Sequence, residues 1–318
     1  MQATLIYNPN ARSINSVTPE QLLEALKEAG YHPIYKTTNS EEDLDSALAG
    51  VEGLVVVAGG DGTLRAVAIR ILNKNVSLTP LPLGTANNIS QTLDIKGEPL
   101  EIVKGLKNPR KRAFDVGRIR GPWGESYFLE GAGWGFFADI LADYKPEAGK
   151  DMLRGVASAI KTISEYTVYP SRMALDGRDI SGDYILVEIL NTVAIGPRLK
   201  LAPQANPGDG LLDVVRVSNH FRDGIIDYGL GLIAERLHEM DSVQVDRGRK
   251  LELEWPGFHI HFDAELPPQV YEYVDNSPEL SVRQEANGQT RTVTIEIMPQ
   301  ALKFWLPQPV EKGEKKED

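Results

Sequence analysis

The sequence predicts two domains of different class: an α/β domain with a parallel sheet over residues 1–117, and an antiparallel β-sandwich over residues 118–299. Three observations predict this. Strand-like and helix-like segments alternate up to about Val116. From about Gly117 short alternating strands are split by Gly, Pro and Asp-Gly turns. Two glycine-rich turns follow neighbouring strands of the first half.

In chain order, Thr4 to Tyr7 reads as a strand, Glu20 to Ala29 as a helix, Pro33 to Lys36 as a strand and Glu41 to Leu48 as a helix. Gly53 to Ala58 is an apolar β-branched run of the length of a buried strand, followed by Gly59, Gly60, Asp61, Gly62 and Thr63, and then a helix from Leu64 to Leu72. About one βα unit later the strand Leu78 to Leu83 runs into Gly84-Thr85-Ala86-Asn87-Asn88 and a helix from Ile89 to Leu93. The second half carries strands at Tyr127 to Glu130, Arg172 to Leu175, Asp183 to Leu190, Leu212 to Val217, Lys250 to Trp255, His259 to Asp263 and Thr292 to Met298. Helices are expected at Arg154 to Tyr166 and Arg222 to Glu239, and residues 300–310 are expected to rejoin the first domain. Residues 311–318 are almost entirely Glu, Lys and Asp and read as a disordered tail.

The two glycine turns carry the chemistry of the first half. Glycines let backbone N–H groups approach a polyphosphate closely, and a helix N-terminus following the turn favours negative charge. Both turns would lie at the carboxyl ends of parallel strands, where open α/β sheets bind ligands. Asp61 would repel a bare phosphate, so a divalent cation or water is expected between them. A plain strand-to-helix turn, with Thr85 or Asn87 as a simple helix cap, is the bland alternative.

Taken together, Gly59-Gly60-Asp61-Gly62-Thr63 and Pro82-Leu83-Gly84-Thr85-Ala86-Asn87 resemble the diacylglycerol kinase catalytic domain family, the bacterial lipid kinases related to sphingosine kinases. Tyr7-Asn8-Pro9-Asn10-Ala11, Leu201-Ala202-Pro203-Gln204-Ala205, Gly208-Asp209-Gly210-Leu211-Leu212-Asp213 and Phe262-Asp263-Ala264-Glu265-Leu266-Pro267 fit the family order. The resemblance implies a Rossmann-like, NAD kinase-like first domain and a sandwich that receives the lipid. It implies ATP with Mg²⁺ as cosubstrate, bound by Asn8, Thr38, Gly59, Gly60, Asp61, Gly62, Thr63, Thr85 and Asn87. It makes Glu265 the general base, with Asp263 beside it and Asp61 as the third catalytic residue. A structural magnesium ion is implied at Asp209 and the carbonyls of Leu212 and Val214. Three departures stand out: Arg65-Ala66 replaces the family's Asn-Glu, Asn88 replaces an aspartate, and Ala264 replaces a glycine.

With a period of two, His259, His261, Asp263 and Glu265 would share one face of a strand, wet or catalytic, opposite a core face of Phe258, Ile260, Phe262 and Ala264. His-x-His could instead hold zinc in a hydrolase. No Gly-x-x-x-x-Gly-Lys-Ser/Thr stretch occurs, which excludes a P-loop kinase.

Composition sets outer bounds. The chain has 318 residues, 42% hydrophobic and 25% charged, which is globular composition. There is no cysteine, hence no disulfide or thiolate metal site, and a reducing compartment suits it. A net charge of −11 speaks against nucleic-acid binding. No leader-like start and no run of about 18 uncharged apolar residues is seen, so a cytoplasmic protein touching its lipid substrate peripherally at the inner membrane face is expected. A homodimer is compatible with this reading.

Overall fold

The computed structural model describes residues 1–11, 17–38, 40–143, 168–196, 198–218, 240–267 and 291–308. The expected helices Arg154 to Tyr166 and Arg222 to Glu239, and the tail 311–318, lie outside the described residues. The chain divides into two compact units, Met1–Phe114 with Gln300–Asp318, and Asp115–Pro299.

The first unit contains β1 (Gln2–Tyr7), α1 (Pro19–Glu28), β2 (His32–Thr37), α2 (Asp43–Ala47), β3 (Gly53–Gly59), α3 (Asp61–Arg70), β4 (Val76–Pro82), α4 (Asn88–Thr92) and α5 (Pro99–Gly105). β2, β1, β3 and β4 are parallel neighbours, in register through Gln2 against His32, Ala3 against Leu54 and Gly53 against Val76. Leu54, Val55, Val56, Val57 and Ala58 are all buried, which is why this run has no polar face. The leucine and the three valines each contribute about 1.5–3 kcal/mol by leaving water. α1 starts where Thr18 and Gln21 cap one another reciprocally and Pro19 opens the first turn; Leu22, Ala25 and Leu26 form its buried stripe. It stops at Gly30, whose φ of 90° suits a glycine just past a helix end.

The second unit is antiparallel and β-rich. β5 (Arg110–Gly121) enters it and hairpins into β6 (Gly124–Phe128), followed by β7 (Gly131–Gly135), α6 (Phe136–Asp143), β8 (Tyr169–Leu175), β9 (Arg178–Asp179) and β10 (Gly182–Leu190). Then come β11 (Ala194–Ile195), β12 (Leu199–Lys200), β13 (Leu212–Ser218), β14 (Val243–Gly248), β15 (Lys250–Glu254), β16 (Ile260–Phe262) and β17 (Thr292–Leu306). β14, β13, β10, β8, β15 and β17 are successive neighbours, and β7 joins β10 to β16. A core of Trp134, Trp255, Phe128, Phe258, Phe262 and aliphatic residues fills this unit. Beyond Pro299 the last part of β17 belongs to the first unit, where Phe304 lies parallel to Leu78 of β4 and Thr79 donates its hydroxyl to the Trp305 carbonyl.

One expectation about faces is overturned. His261 does not share a wet face with His259; it is fully buried and its Nε2 meets the fully buried Glu188 Oε1 at 3.0 Å. Ile260, His261 and Phe262 are all buried: Ile260 and Phe262 belong to the core of this unit, and on the other face Glu188 and the ring of Phe137, centroid 5.0 Å away, meet His261. Alternation also ends at Phe262, since Asp263 and Ala264 leave the strand with φ of 52° and 59°.

Candidate active site

The glycine turns of the first unit are built around close backbone approach. β3 ends at Gly59, where a Cβ would stand 2.8 Å from that of Thr63, and Gly60 precedes α3 in extended conformation. The Leu83 N–H donates to the Gly59 carbonyl at 3.0 Å, so the β3–β4 ladder continues into the turns. A Cβ on Gly84 would lie 2.5 Å from the Gly60 Cα, and one on Gly60 would lie 3.1 Å from the Gly84 Cα. Only two glycines allow this crossing. Asn87, left-handed with φ of 53°, closes the second turn: its Oδ1 accepts from the Gly84 N–H and its Nδ2 donates to the Gly84 carbonyl, both at 2.9 Å.

Side chains then lock the turns together. Asp61 Oδ2 accepts from the Asn88 N–H at 3.0 Å and Oδ1 from the Ile89 N–H at 3.2 Å, capping the start of α4 from the neighbouring turn. The first turn joins through Asn8, whose N–H donates to the Ala58 carbonyl at 3.0 Å and whose Nδ2 donates to Thr63 Oγ1 at 2.8 Å. Thus the ends of β1, β3 and β4 form one hydrogen-bonded platform. Gly62 and Thr85 are exposed on it, and Gly60, Asp61, Thr63 and Asn87 are half-buried. Thr38, just past β2, is buried. Of the residues that depart from the family pattern, Ala66 and Asn88 are buried and Arg65 is half-buried.

In the second unit, Phe262 and Glu265 exchange backbone hydrogen bonds of 2.9 and 3.0 Å around Asp263 and Ala264. This is a two-residue hairpin whose central residues both take positive φ, as such turns demand. Asp263 anchors it: its carboxylate accepts from the N–H groups of Leu129 at 2.9 Å, Glu130 at 2.7 Å and Gly131 at 3.1 Å, and its own N–H donates to the Gly131 carbonyl at 2.8 Å. Asp263 therefore positions, and the exposed Glu265 is the carboxylate that the turn presents. His259 stands apart from His261, with Nδ1 3.0 Å from Asp139 Oδ1. Tyr169 also hydrogen-bonds Asp139. Each histidine thus has its own carboxylate.

The residues assigned to a structural magnesium ion lie around the start of β13. Asp209 Oδ1 accepts from the Leu211 N–H at 3.0 Å, and its Oδ2 pairs with Arg247. Leu212 and Val214 are fully buried, and Val214 lies in a strand paired on both edges, directing its carbonyl into a ladder. This set does not fit a dedicated cation cage. Asp115, buried, is likewise committed: its Oδ2 accepts from the Gly210 N–H at 2.7 Å and its N–H donates to the Pro207 carbonyl at 2.7 Å.

Two residues hold structural duties here that no local sequence pattern assigns to them. Asn191 is buried and donates its Nδ2 to the carbonyls of Asp115 and Leu129, each at 2.9 Å, holding the bend between β6 and β7 whose N–H groups bond Asp263. Arg247 sits in an ordinary-looking basic cluster, and only the β13–β14 register brings it to Asp213.

Residues 2–119 match the family model of the diacylglycerol kinase catalytic domain, and residues 147–304 match that of the YegS C-terminal NAD kinase beta sandwich-like domain. The chain belongs to the diacylglycerol kinase catalytic domain family. Within the family, it is 29% identical over 226 residues to the diacylglycerol kinase of Bacillus subtilis (strain 168), covering 67% of this chain and 73% of that one. A probable lipid kinase YegS-like of Pseudomonas syringae pv. syringae (strain B728a) is 32% identical over 187 residues, 57% of this chain and 59% of that relative. The fold is that of a solved diacylglycerol kinase from Bacillus anthracis str. Sterne, with a TM-score of 0.68 over 97% of both chains at 19% identity.

Proposed function

We propose that the protein is an ATP-dependent lipid kinase that transfers the γ-phosphoryl group to a hydroxyl of diacylglycerol or a similar long-chain lipid. The observation that carries this reading is the crossing of Gly60 and Gly84 with Asp61 clasping the second turn, which leaves a rigid, glycine-lined platform at the carboxyl ends of parallel strands. The names of the family relatives point to lipid as the acceptor. No lysine stands in these turns, so the charge of the triphosphate falls to the Mg²⁺ that accompanies ATP, together with backbone N–H groups.

In this reading Gly60, Gly62, Thr63, Thr85 and Asn87 bind the phosphates, and Asn8 holds Thr63 in place. Glu265, on its tight hairpin, takes the proton of the acceptor hydroxyl as phosphoryl transfer proceeds. Asp263 keeps that hairpin in position and is a positioning residue. Among the described residues no helix is long and apolar enough to cross a membrane, so lipid would be met by peripheral contact.

The test is incubation with labelled ATP, Mg²⁺, a panel of lipids and NAD, for the natural chain and for Glu265→Gln. Label in a long-chain lipid is expected, with the Glu265→Gln rate lowered about 10²–10⁴-fold. Label in NAD would reassign the acceptor. ATP binding with no transfer to any acceptor would make this a nucleotide-binding regulatory protein, and equal rates for the two chains would remove Glu265 as base.

A further inference from the structure

The turn between Asn206 and Asp213 brings two carboxylates into one small region, Asp209 on the turn and Asp213 at the start of β13. The Asp213 side chain is 4% exposed and that of Asp209 is 25% exposed. Two such charges repel unless a cation stands between them. Strand register supplies one. Asp213 and Arg247 face each other directly across β13 and β14, so the backbone pairing itself delivers the guanidinium to this place. Arg247 pairs with Asp209 Oδ2 through Nη2 and stands 3.3 Å from Asp213 Oδ1 through Nε. One planar, permanently charged group thus serves both acids.

The N–H groups of residues 208–211 also find partners within the protein. Gly208 and Asp209 donate their N–H groups to the Asn206 carbonyl at 2.7 and 3.3 Å, Leu211 donates to Asp209 Oδ1, and Gly210 donates to the buried Asp115. A magnesium ion demands near-octahedral oxygen ligands, and both oxygens of Asp209 already accept hydrogen bonds. We infer that in this chain the Arg247 guanidinium takes the structural role of a divalent cation, closing the 206–213 turn onto β14. The 206–213 turn then needs no Mg²⁺ to close.

The experiment compares thermal unfolding midpoints of the nucleotide-free full chain in EDTA and in millimolar MgCl₂, for the natural chain, Arg247→Ala and Asp209→Asn. The natural chain should unfold at the same midpoint in both buffers. Arg247→Ala should unfold roughly 2–8 °C lower in EDTA, and it should gain a Mg²⁺-dependent rise because its two carboxylates are uncovered. The inference fails if the natural chain loses stability in EDTA, regains it with Mg²⁺, and Asp209→Asn abolishes that response. It fails equally if Arg247→Ala unfolds at the natural midpoint. A Mg²⁺ response of the natural chain that Asp209→Asn retains places the cation elsewhere and leaves the Arg247 closure standing. Should Arg247→Ala not fold, the two scans of the natural chain and of Asp209→Asn still decide. Because the readout is unfolding, its outcome is separate from that of the kinase assay.

Discussion

Ala264 illustrates how one methyl group enters the energetics. It occupies the second left-handed position of the Phe262–Glu265 hairpin, with φ of 59°. A non-glycine residue there costs about 1–2 kcal/mol, whereas glycine would add about 0.4–1 kcal/mol of freedom to the unfolded chain. The first effect is larger, so Ala264→Gly should raise stability by about 0.5–1 kcal/mol; a lowered unfolding midpoint would contradict the turn geometry. Asp213 gives a pH signature. Burial raises its carboxyl from 3.8 to about 6, opposed by Arg247 and assisted by Asp209. The folded chain therefore holds this proton at pH values where the unfolded chain has released it. That contribution to stability is complete below the ordinary value and is lost as pH rises through about 6. Measured from pH 4 to 7, the stability of the natural chain relative to Asp213→Asn should fall with rising pH, and a flat difference would show that the group is not perturbed.

At the scale of elements, the decisive junction is between two turns rather than within either. Asp61 in the natural chain bonds N–H groups 27 and 28 residues further along, and Gly60 and Gly84 touch through bare backbone. Asp61→Ala removes a cap contributing about 0.5–2 kcal/mol and releases the second turn, and Gly84→Ala forces the strands' ends apart. Both variants should bind ATP at least about tenfold more weakly by calorimetry, which corresponds to 1.4 kcal/mol. Unchanged affinity would detach the platform from nucleotide binding. The buried strand Ile260–Phe262 teaches the opposite lesson. Its alternating sequence suggests a wet face through His261, yet Glu188 supplies that histidine with a partner inside the core. Periodicity reports which residues share a face, and it is silent on what covers that face.

For the whole molecule, the first unit is completed by residues from the far end of the chain. Phe304 lies against Leu78, its ring 5.0 Å from that of Phe114, and Gln308 donates its N–H to the Gly105 carbonyl at 3.0 Å. A fragment ending at Phe114 would leave β4 as an open apolar edge. It should be less stable and more prone to associate than the same fragment fused to residues 300–308, as judged by unfolding midpoint and light scattering. Equal behaviour of the two would show that the returning strand contributes little.

The sequence by itself determined the parallel and antiparallel halves and the two glycine turns, because these depend on local period, φ freedom and turn chemistry. Only tertiary structure decided that Asp61 clasps the second turn, that Asp263 anchors three N–H groups, that His261 is buried and that Arg247 meets two acids. Those facts follow from strand order and register, which bring together residues tens to more than a hundred positions apart, and no local pattern encodes such pairings.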